Sequence, residues 1–203
     1  MNWIERISEI KGKDAYSQGG ESLILEYIYE NIPQKRPIMF DIGSGDGFIL
    51  SNSRHLRLQG WKVAYWEKSK GQEINLENCC DHGDHPVIIS IDIDGNDFWI
   101  LDKMMPRYQP EIVIAEFNAM YTDSRAIRYN PNHEWAGDSY YGFTFKAGEK
   151  LAELHGYKVI FQIADMNMIM VREDLIEGLE IPPVTYKQND YFKLSDRLDW
   201  VKI

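Results

Sequence analysis

The stretch from Arg36 to Glu67 constrains the fold of this 203-residue chain more than any other part of the sequence. It begins with a short apolar run, Ile38–Ile42, of the kind that forms a strand buried on both faces. Glycines follow at positions 43, 45 and 47, where the missing Cβ lets the backbone turn sharply and lets a ligand come close. The next segment, apolar at positions 49, 50, 56 and 58, predicts a helix that ends at Gly60, and residues 62–66 predict a second strand.

This order of strand, glycine turn, helix, strand and acid is typical of a nucleotide-binding βαβ unit. Glu67 lies twenty positions after Gly47, where an acid accepts hydrogen bonds from ribose hydroxyls. Carboxylates at positions 41 and 46 would repel a pyrophosphate but would attract an amino group and a sulfonium charge. S-adenosylmethionine carries both, and the residues expected to contact it are Asp41, Gly43, Gly45, Asp46, Gly47 and Glu67. The alternative is a strand–turn–helix that needs these glycines only for its own backbone.

Composition narrows the class of protein. A chain of this length with 44% hydrophobic residues fits one domain over residues 1–203, with N-terminal helices in 1–35 and a C-terminal tail over 178–203. The net charge of -10 disfavours non-specific nucleic-acid binding and attachment to anionic lipid. We find no apolar run that could span a bilayer and no signal peptide, and the adjacent pair Cys79 and Cys80 makes a poor disulfide. A cytoplasmic location is therefore expected, and the tail could dock on the body or on a second subunit of a homo-oligomer.

Polar side chains end the next two predicted strands. Residues 87–93 form an apolar run that leads into Asp92 and Asp94, and these acids are two positions apart, so their side chains lie on the same side of the strand. Residues 111–117 form another, which ends on the polar pair Glu116 and Asn118. Because open α/β sheets bind ligands beyond the carboxyl ends of their strands, these side chains are candidates for a site.

Three loops carry further candidates, each with a structural alternative. Residues 16–21 place Gln18 and Glu21 at a helix start, where they could reach the methionine end of a cofactor or simply complement the helix dipole. The long connection over 118–143 is rich in aromatic side chains, which could line a pocket for a sugar or ring or could pack as a core of their own. Residues 68–86 contain two thiols and two imidazoles, yet side-by-side cysteines rarely chelate one ion, so a solvated loop is the alternative to a metal site there.

Four blocks of the sequence resemble the FkbM-like branch of the S-adenosylmethionine-dependent methyltransferases. They are residues 16–21 (YSQGGE), residues 40–47 with Ser51–Asn52–Ser53 and Gly60–Trp61, residues 90–97 (SIDIDGND), and Glu116–Phe117–Asn118 with Tyr140–Tyr141–Gly142. Together they cover roughly residues 15–172. All such methyltransferases share the glycine motif, whereas the aspartate-rich block is the more specific sign.

The resemblance implies an α/β fold with a Rossmann-like, mostly parallel methyltransferase sheet that has an antiparallel strand near its end. Two apolar runs at 157–163 and 167–171, three residues apart, independently predict an antiparallel hairpin there. The resemblance also implies O-methylation of a hydroxyl on a sugar or secondary metabolite. One departure is the short segment between Glu67 and Val87, which puts the third strand and part of the adenine pocket in doubt.

Methyl transfer requires alignment of donor and acceptor and removal of the hydroxyl proton. The candidates for that proton transfer are Asp92, Asp94 and His133. We also expect Asp92 to lie beside the cofactor. Alternatively, the two aspartates together with Glu116 or Asn118 could hold Mg²⁺ and lower the pKa of the hydroxyl; Asp92, Asp94 and Asn118 are the favoured ligand set. The candidates for contacts to a small-molecule or sugar acceptor are Asn118, Tyr121, Trp135 and Tyr140.

Two other classes of function use the same βαβ unit. The chain could be a cofactor-binding scaffold without activity or a subunit of a larger complex, with the shortened 68–86 region as its sign. It could also be a nucleotide-dependent oxidoreductase. Titration with S-adenosylmethionine, its demethylated product and NAD separates the three.

Overall fold

A six-stranded sheet forms the centre of the computed structural model, which describes residues 1–10, 16–33, 36–45, 47–67, 71 and 73–203. Its strands are β1 (Ile38–Ile42), β2 (Lys62–Trp66), β3 (Ile88–Ile91), β4 (Ile112–Glu116), β6 (Tyr157–Ile163) and β7 (Asn167–Arg172). A second, two-stranded sheet joins β5 (Arg125–Ala126) to β8 (Val201–Lys202). The helices are α1 (Glu21–Asn31), α2 (Arg54–Leu58), α3 (Asp97–Tyr108) and α4 (Phe145–His155).

The strand order in the large sheet is β2-β1-β3-β4-β7-β6. The first four strands in this order are mutually parallel, and β7 pairs antiparallel with both β4 and β6. The predicted α/β class with a mostly parallel sheet is therefore confirmed, and so is the antiparallel hairpin. Between β2 and β3 the described residues, 71 and 73–87, contain no strand.

Two helix boundaries differ from the sequence prediction. α2 begins only after Ser53, because Ile49 and Leu50 are 72% and 61% exposed and have no core to face. The sequence predicts a helix over residues 98–104 that Pro106 stops, but α3 continues through Pro106 to Tyr108. The side chains of Met105 and Tyr108 in this last turn are buried in the core, and that burial offsets the hydrogen bond that proline cannot donate. The sequence also predicts a short helix around residues 73–80, but residues 76–80 form turns.

The sheet separates two hydrophobic clusters. Phe40 and Ile42 of β1 face the cluster that contains α3 and α4, whereas Met39 faces the cluster that contains α1. This alternation follows from the two-residue period of a strand, and it directs Asp41 towards the α1 side. No helix in the described part of the chain is long and apolar enough to cross a membrane.

The C-terminal tail lies on the body of the same chain. Trp200, next to β8, packs edge-on against Tyr121 and Tyr140, and Phe192 packs against Trp135. Upstream, Tyr186 contacts the buried rings of Phe117 and Phe145. The tail thereby covers the loop that follows β4.

Candidate functional site

The strand order reverses between β1 and β3, because the chain leaves β1 towards β2 on one side and later returns to β3 on the other. In open α/β sheets, the carboxyl ends of the two strands at such a point border the ligand crevice. Here Gly43 follows β1 and Asp92 follows β3. The glycine turn and the aspartates after β3, both predicted from the sequence as parts of the site, are thus neighbours at this point.

Gly43 is required by the packing at this edge. Its φ is +85°, and a Cβ atom added to it would lie 1.6 Å from the carbonyl oxygen of Asp92. Its N–H donates to the carbonyl of Trp66 at 2.9 Å, which ties the turn to the end of β2. Gly45, also at positive φ, donates its N–H to Oε2 of Glu67 at 2.7 Å. The turn therefore holds the Glu67 carboxylate at the edge of the crevice, while the predicted contact Asp46 lies outside the described residues.

A cavity of about 190 Å³ opens at this edge. Its described lining includes Gly43, Glu67, Asp92, Asp94 and His133, which brings five of the predicted site residues together. Apolar parts of the wall come from Trp66, Ile74 and Ile93. This mixture of apolar walls with a few polar groups is typical of small-molecule sites.

Three carboxylates converge at the inner end of the site. Asp92, Asp94 and Glu116 each offer one oxygen atom, and these atoms all lie within 4.8 Å of one another. Burial, reinforced by the neighbouring acids, raises the pKa of Asp92 to about 7 and that of Asp94 to about 6. Burial also raises the pKa of Glu116 well above its usual value, and a hydrogen bond joins Glu116 to Asp92. The hydrogen bond requires a proton between the two acids, and three carboxylate oxygens at this spacing suit a hard cation such as Mg²⁺.

The loop after β3 is shaped by an acid that the sequence analysis did not select. Asp97 is 1% exposed at the start of α3, and its two carboxylate oxygens accept the N–H groups of Ile93 and Gly95 at 2.9 and 2.8 Å. Between them Asp94 has a φ of +52°, a left-handed conformation that aspartate tolerates better than most residues. The signal for this role was the position of an acid in the first turn of a helix.

Asn118 does not offer its side chain to this cluster. Its Nδ2 donates to the carbonyls of Ser139 and Tyr141 at 2.9 and 3.2 Å, and its Oδ1 accepts the N–H of Met120 at 3.1 Å. A fully buried amide has to satisfy its polar atoms, and here the returning loop does so. Of the two alternatives for the third ligand, the structure therefore brings Glu116 rather than Asn118 to the two aspartates.

His133 forms part of the cavity wall next to this cluster. A Cβ atom at Gly95 would lie 2.8 Å from Cδ2 of His133, so the imidazole packs closely over the backbone at that residue. Tyr141, another residue that the sequence analysis did not assign to the site, is 4% exposed. Burial and the nearby Glu116 and Asp94 raise the pKa of its phenol.

Five predicted cofactor contacts lie outside the described cavity lining: the glycines at positions 45 and 47, and the side chains of Asp41, Glu21 and Gln18. Asp41 is 2% exposed and accepts a hydrogen bond from Oγ of Ser53, below the glycine turn. Glu21 accepts the N–H of Gly19 at 2.6 Å and the amide of Asn167 at 3.1 Å, so it fixes its own loop. Gln18 is exposed, with Nε2 3.7 Å from Sδ of Met166.

The aromatic residues predicted to contact an acceptor pack mainly with one another and with the tail. The ring of Trp135 lies 5.0 Å from that of Phe192, and its Nε1 donates to the carbonyl of Asp138 at 2.7 Å. Tyr121 and Tyr140 lie 5.2 and 4.9 Å from Trp200. These contacts agree with the alternative interpretation of this loop, in which its aromatic rings pack as a core of their own.

The thiols and imidazoles of residues 79–85 do not converge on a metal position within the described part of the chain. Cys79 is buried in the core with its Sγ 3.8 Å from that of Cys80. The ring of His82 instead packs edge-on against Phe40 and Trp66. This segment therefore packs over β1 and β2.

The fold and the site define an α/β protein with a polar cavity at the switch point of its sheet. Compared with models of known protein families, the chain matches none, and no curated protein shows significant similarity to it. Its function therefore has to be inferred from the cavity, the glycine turn and the acid cluster.

Proposed function

We propose that this chain is an S-adenosylmethionine-dependent methyltransferase that acts on a hydroxyl group of a sugar or secondary metabolite. The observation that carries the proposal is the position of the cavity. It lies at the reversal between β1 and β3, with the backbone of Gly43 at one side, Glu67 at the end of β2, and Asp92 at the end of β3. The sheet order, with β7 antiparallel between β4 and β6, is compatible with a Rossmann-like methyltransferase sheet.

The residues of the cavity fit the chemistry of this cofactor. Glu67 is positioned by the Gly45 N–H to accept hydrogen bonds from ribose hydroxyls, and Trp66 and Ile74 provide apolar surface for the adenine. Asp92 places a carboxyl group where the amino and sulfonium charges would be stabilised. When bound, the cofactor supplies an activated methyl group: the acceptor oxygen forms a bond to the methyl carbon as the carbon–sulfur bond breaks and its electron pair stays on sulfur.

The protein's own task is then to accept the hydroxyl proton. With a pKa of about 7, Asp92 can act as the base at neutral pH, and its hydrogen bond to Glu116 orients it. Asp94 and His133 lie in the same cavity lining and are the other candidates. Alternatively, the Asp92, Asp94 and Glu116 carboxylates would hold Mg²⁺, and the ion would lower the pKa of the hydroxyl. Loss of turnover in EDTA and its return with Mg²⁺ would support the metal, and turnover that a chelator leaves unchanged would support a carboxylate base.

Calorimetric titration with S-adenosylmethionine, S-adenosylhomocysteine and NAD tests the proposal. We expect the first two to bind and NAD not to bind. Replacing Glu67 with alanine should weaken cofactor binding by about 1–3 kcal/mol, because charged hydrogen bonds to the ribose are lost. Glu77→Ala is the matched control, since Glu77 is an exposed acid outside the cavity lining. Equal affinities of the Glu67 variant and the wild type would reject the ribose assignment.

A cofactor-binding scaffold without activity is the second candidate. The observation in its favour is the connection between β2 and β3, whose described residues contribute no strand to the sheet. It predicts that both cofactor forms bind but that no hydroxylated acceptor is methylated. Binding of the demethylated product together with turnover on any hydroxyl acceptor would exclude it.

A further inference from the structure

A second cavity adjoins the first. It has a volume of about 370 Å³, and the residues of its lining that matter here are Arg128, Pro131, His133, Tyr140, Arg197 and Asp199. Pro131 and His133 also line the cavity at the sheet edge. The two cavities therefore share a wall, and His133 lies between them.

The charge of the second cavity contrasts with that of the chain. The whole protein has a net charge of -10, yet two guanidinium groups lie in this lining together with one carboxylate. Nε of Arg128 is 3.9 Å from Oδ2 of Asp199, so this pair is close to neutral. In the described residues no carboxylate forms an ion pair with Arg197, whose guanidinium stacks 5.0 Å from the ring centroid of Tyr140. The cavity consequently has about one unit of positive charge near Arg197.

The wall between the cavities is held in place by hydrogen bonds to the sheet edge. Nδ2 of Asn96 donates to the carbonyl of Asn130 at 2.7 Å, and the N–H of Asn130 donates to Oδ1 of Asn96 at 3.1 Å. On the other side, the hydroxyl of Tyr140 accepts the N–H of Arg128 at 3.2 Å and donates to Asp199. A site with such fixed walls can position a ligand relative to the acid cluster.

We propose that the second cavity binds the acceptor and that this acceptor carries a single negative charge, as a hydroxylated carboxylic acid such as a sugar acid does. The inference rests on the proposed methyltransferase function, which places the methyl donor in the first cavity. The planar guanidinium of Arg197 matches a carboxylate in shape and charge. A phosphate monoester would bring two negative charges to a cavity with about one compensating charge, beside the acid cluster of the first cavity.

Binding measurements at low ionic strength test this assignment without relying on turnover. D-glucuronate, D-galacturonate and D-gluconate are compared with D-glucose, D-galactose and glucose 6-phosphate, with and without saturating S-adenosylhomocysteine. We expect at least one sugar acid to bind about tenfold more tightly than every neutral sugar and more tightly than the phosphate ester. Arg197→Gln should remove this preference, and Asp199→Asn should strengthen sugar-acid binding. The control Arg107→Gln changes the net charge equally, on an exposed residue at the far end of α3.

The outcomes separate the two proposals. If S-adenosylhomocysteine binds but sugar acids bind no better than neutral sugars, or if Arg197→Gln has no more effect than Arg107→Gln, the anion site is refuted while the methyltransferase proposal stands. If sugar acids bind through Arg197 but S-adenosylhomocysteine does not bind, the cofactor assignment fails and the anion site remains. Tighter binding of glucose 6-phosphate would overturn the assignment of a singly charged acceptor. Unchanged S-adenosylhomocysteine affinity of the Arg197 variant shows that the variant is folded.

Discussion

Asp41→Asn probes a buried acid that the sequence assigns to the cofactor and the structure places in the protein interior. Asp41 is 2% exposed and accepts a hydrogen bond from Oγ of Ser53, with Ser51 and Ser90 also contributing. Despite these hydroxyls, burial raises its pKa from 3.8 to about 6. The folded protein therefore binds a proton at this carboxyl over a pH range in which the unfolded chain has already released it.

The magnitude and the sign of the effect on stability follow from this difference in proton binding between the folded and unfolded states. Each unit of pKa shift corresponds to about 1.4 kcal/mol, so a shift from 3.8 to about 6 corresponds to roughly 3 kcal/mol. Because the folded state binds more protons, the contribution of Asp41 to the free energy of unfolding falls as the pH rises from about 4 to 6. Asparagine keeps an acceptor for Ser53 and does not ionise, so this loss disappears in the variant.

Urea denaturation at pH 4 and pH 7 measures the effect. The wild type should lose about 2 kcal/mol more stability than Asp41→Asn between these two pH values, because at pH 4 the unfolded chain has already released part of this proton. The acid cluster at Asp92 contributes to the pH dependence in both proteins and largely cancels, and Asp81→Asn, a change at an exposed acid, should behave like the wild type. Parallel pH dependence of the wild type and Asp41→Asn would refute the reasoning, and a large loss of cofactor affinity would show instead that Asp41 contacts the ligand.

Two other substitutions test the packing around the site. Gly43→Ala should lower the melting temperature far more than Gly45→Ala. Both residues have positive φ, but only a Cβ at Gly43 would collide with the backbone of Asp92. Equal shifts in melting temperature would contradict this reasoning. Trp135→Ala should lower the free energy of unfolding by about 2 kcal/mol through lost contacts with Phe192, with cofactor affinity unchanged, and unchanged stability in urea would show that these ring contacts contribute little.

The strands were predictable because their signals are local. β1, β2 and β6 have the bounds that the apolar runs predicted, since each run ends at a glycine, a charged residue or a turn. α2 was predicted too long for a physical reason. The apolar residues at 49 and 50 fit a helical pattern, but the chain offers them no buried surface, so the pattern has no energetic consequence there.

The site was predictable as far as the geometry of a parallel sheet determines it. Gly43, Glu67 and Asp92 follow strands whose carboxyl ends lie at one edge, so their proximity follows from the strand assignment. The choice between Glu116 and Asn118 does not follow from it, because both are on the same side of a strand end. That choice depends on the loop carbonyls of Ser139 and Tyr141, which are 21 and 23 residues from Asn118 in the sequence.

The aromatic loop shows a second limit of sequence reasoning. Its rings pack against Phe192 and Trp200, which lie far along the chain, and no periodic pattern links them to Tyr121 or Trp135. The same folding of the tail brings Arg197 to Arg128 and creates the second cavity. The charge of the proposed acceptor site thus comes partly from residues that the sequence analysis describes only as a C-terminal tail.

The cost of maintaining the acid cluster supports our proposal of a catalytic role over a scaffold. Burial raises the pKa values of Asp92, Asp94 and Glu116, the charge of Asp94 raises those of Asp92 and Glu116 further, and Asp94 adopts a left-handed backbone conformation. Glu116→Gln keeps a donor for Asp92 and removes one ionisable group, so we expect the free energy of unfolding above pH 7 to rise by about 1–2 kcal/mol. We expect turnover or Mg²⁺ affinity to fall in the same variant, since the shared proton or third ligand is lost. A variant that gains stability and keeps full turnover would mean that the carboxylates have no part in the chemistry, whereas opposed changes are the trade-off expected of a functional site.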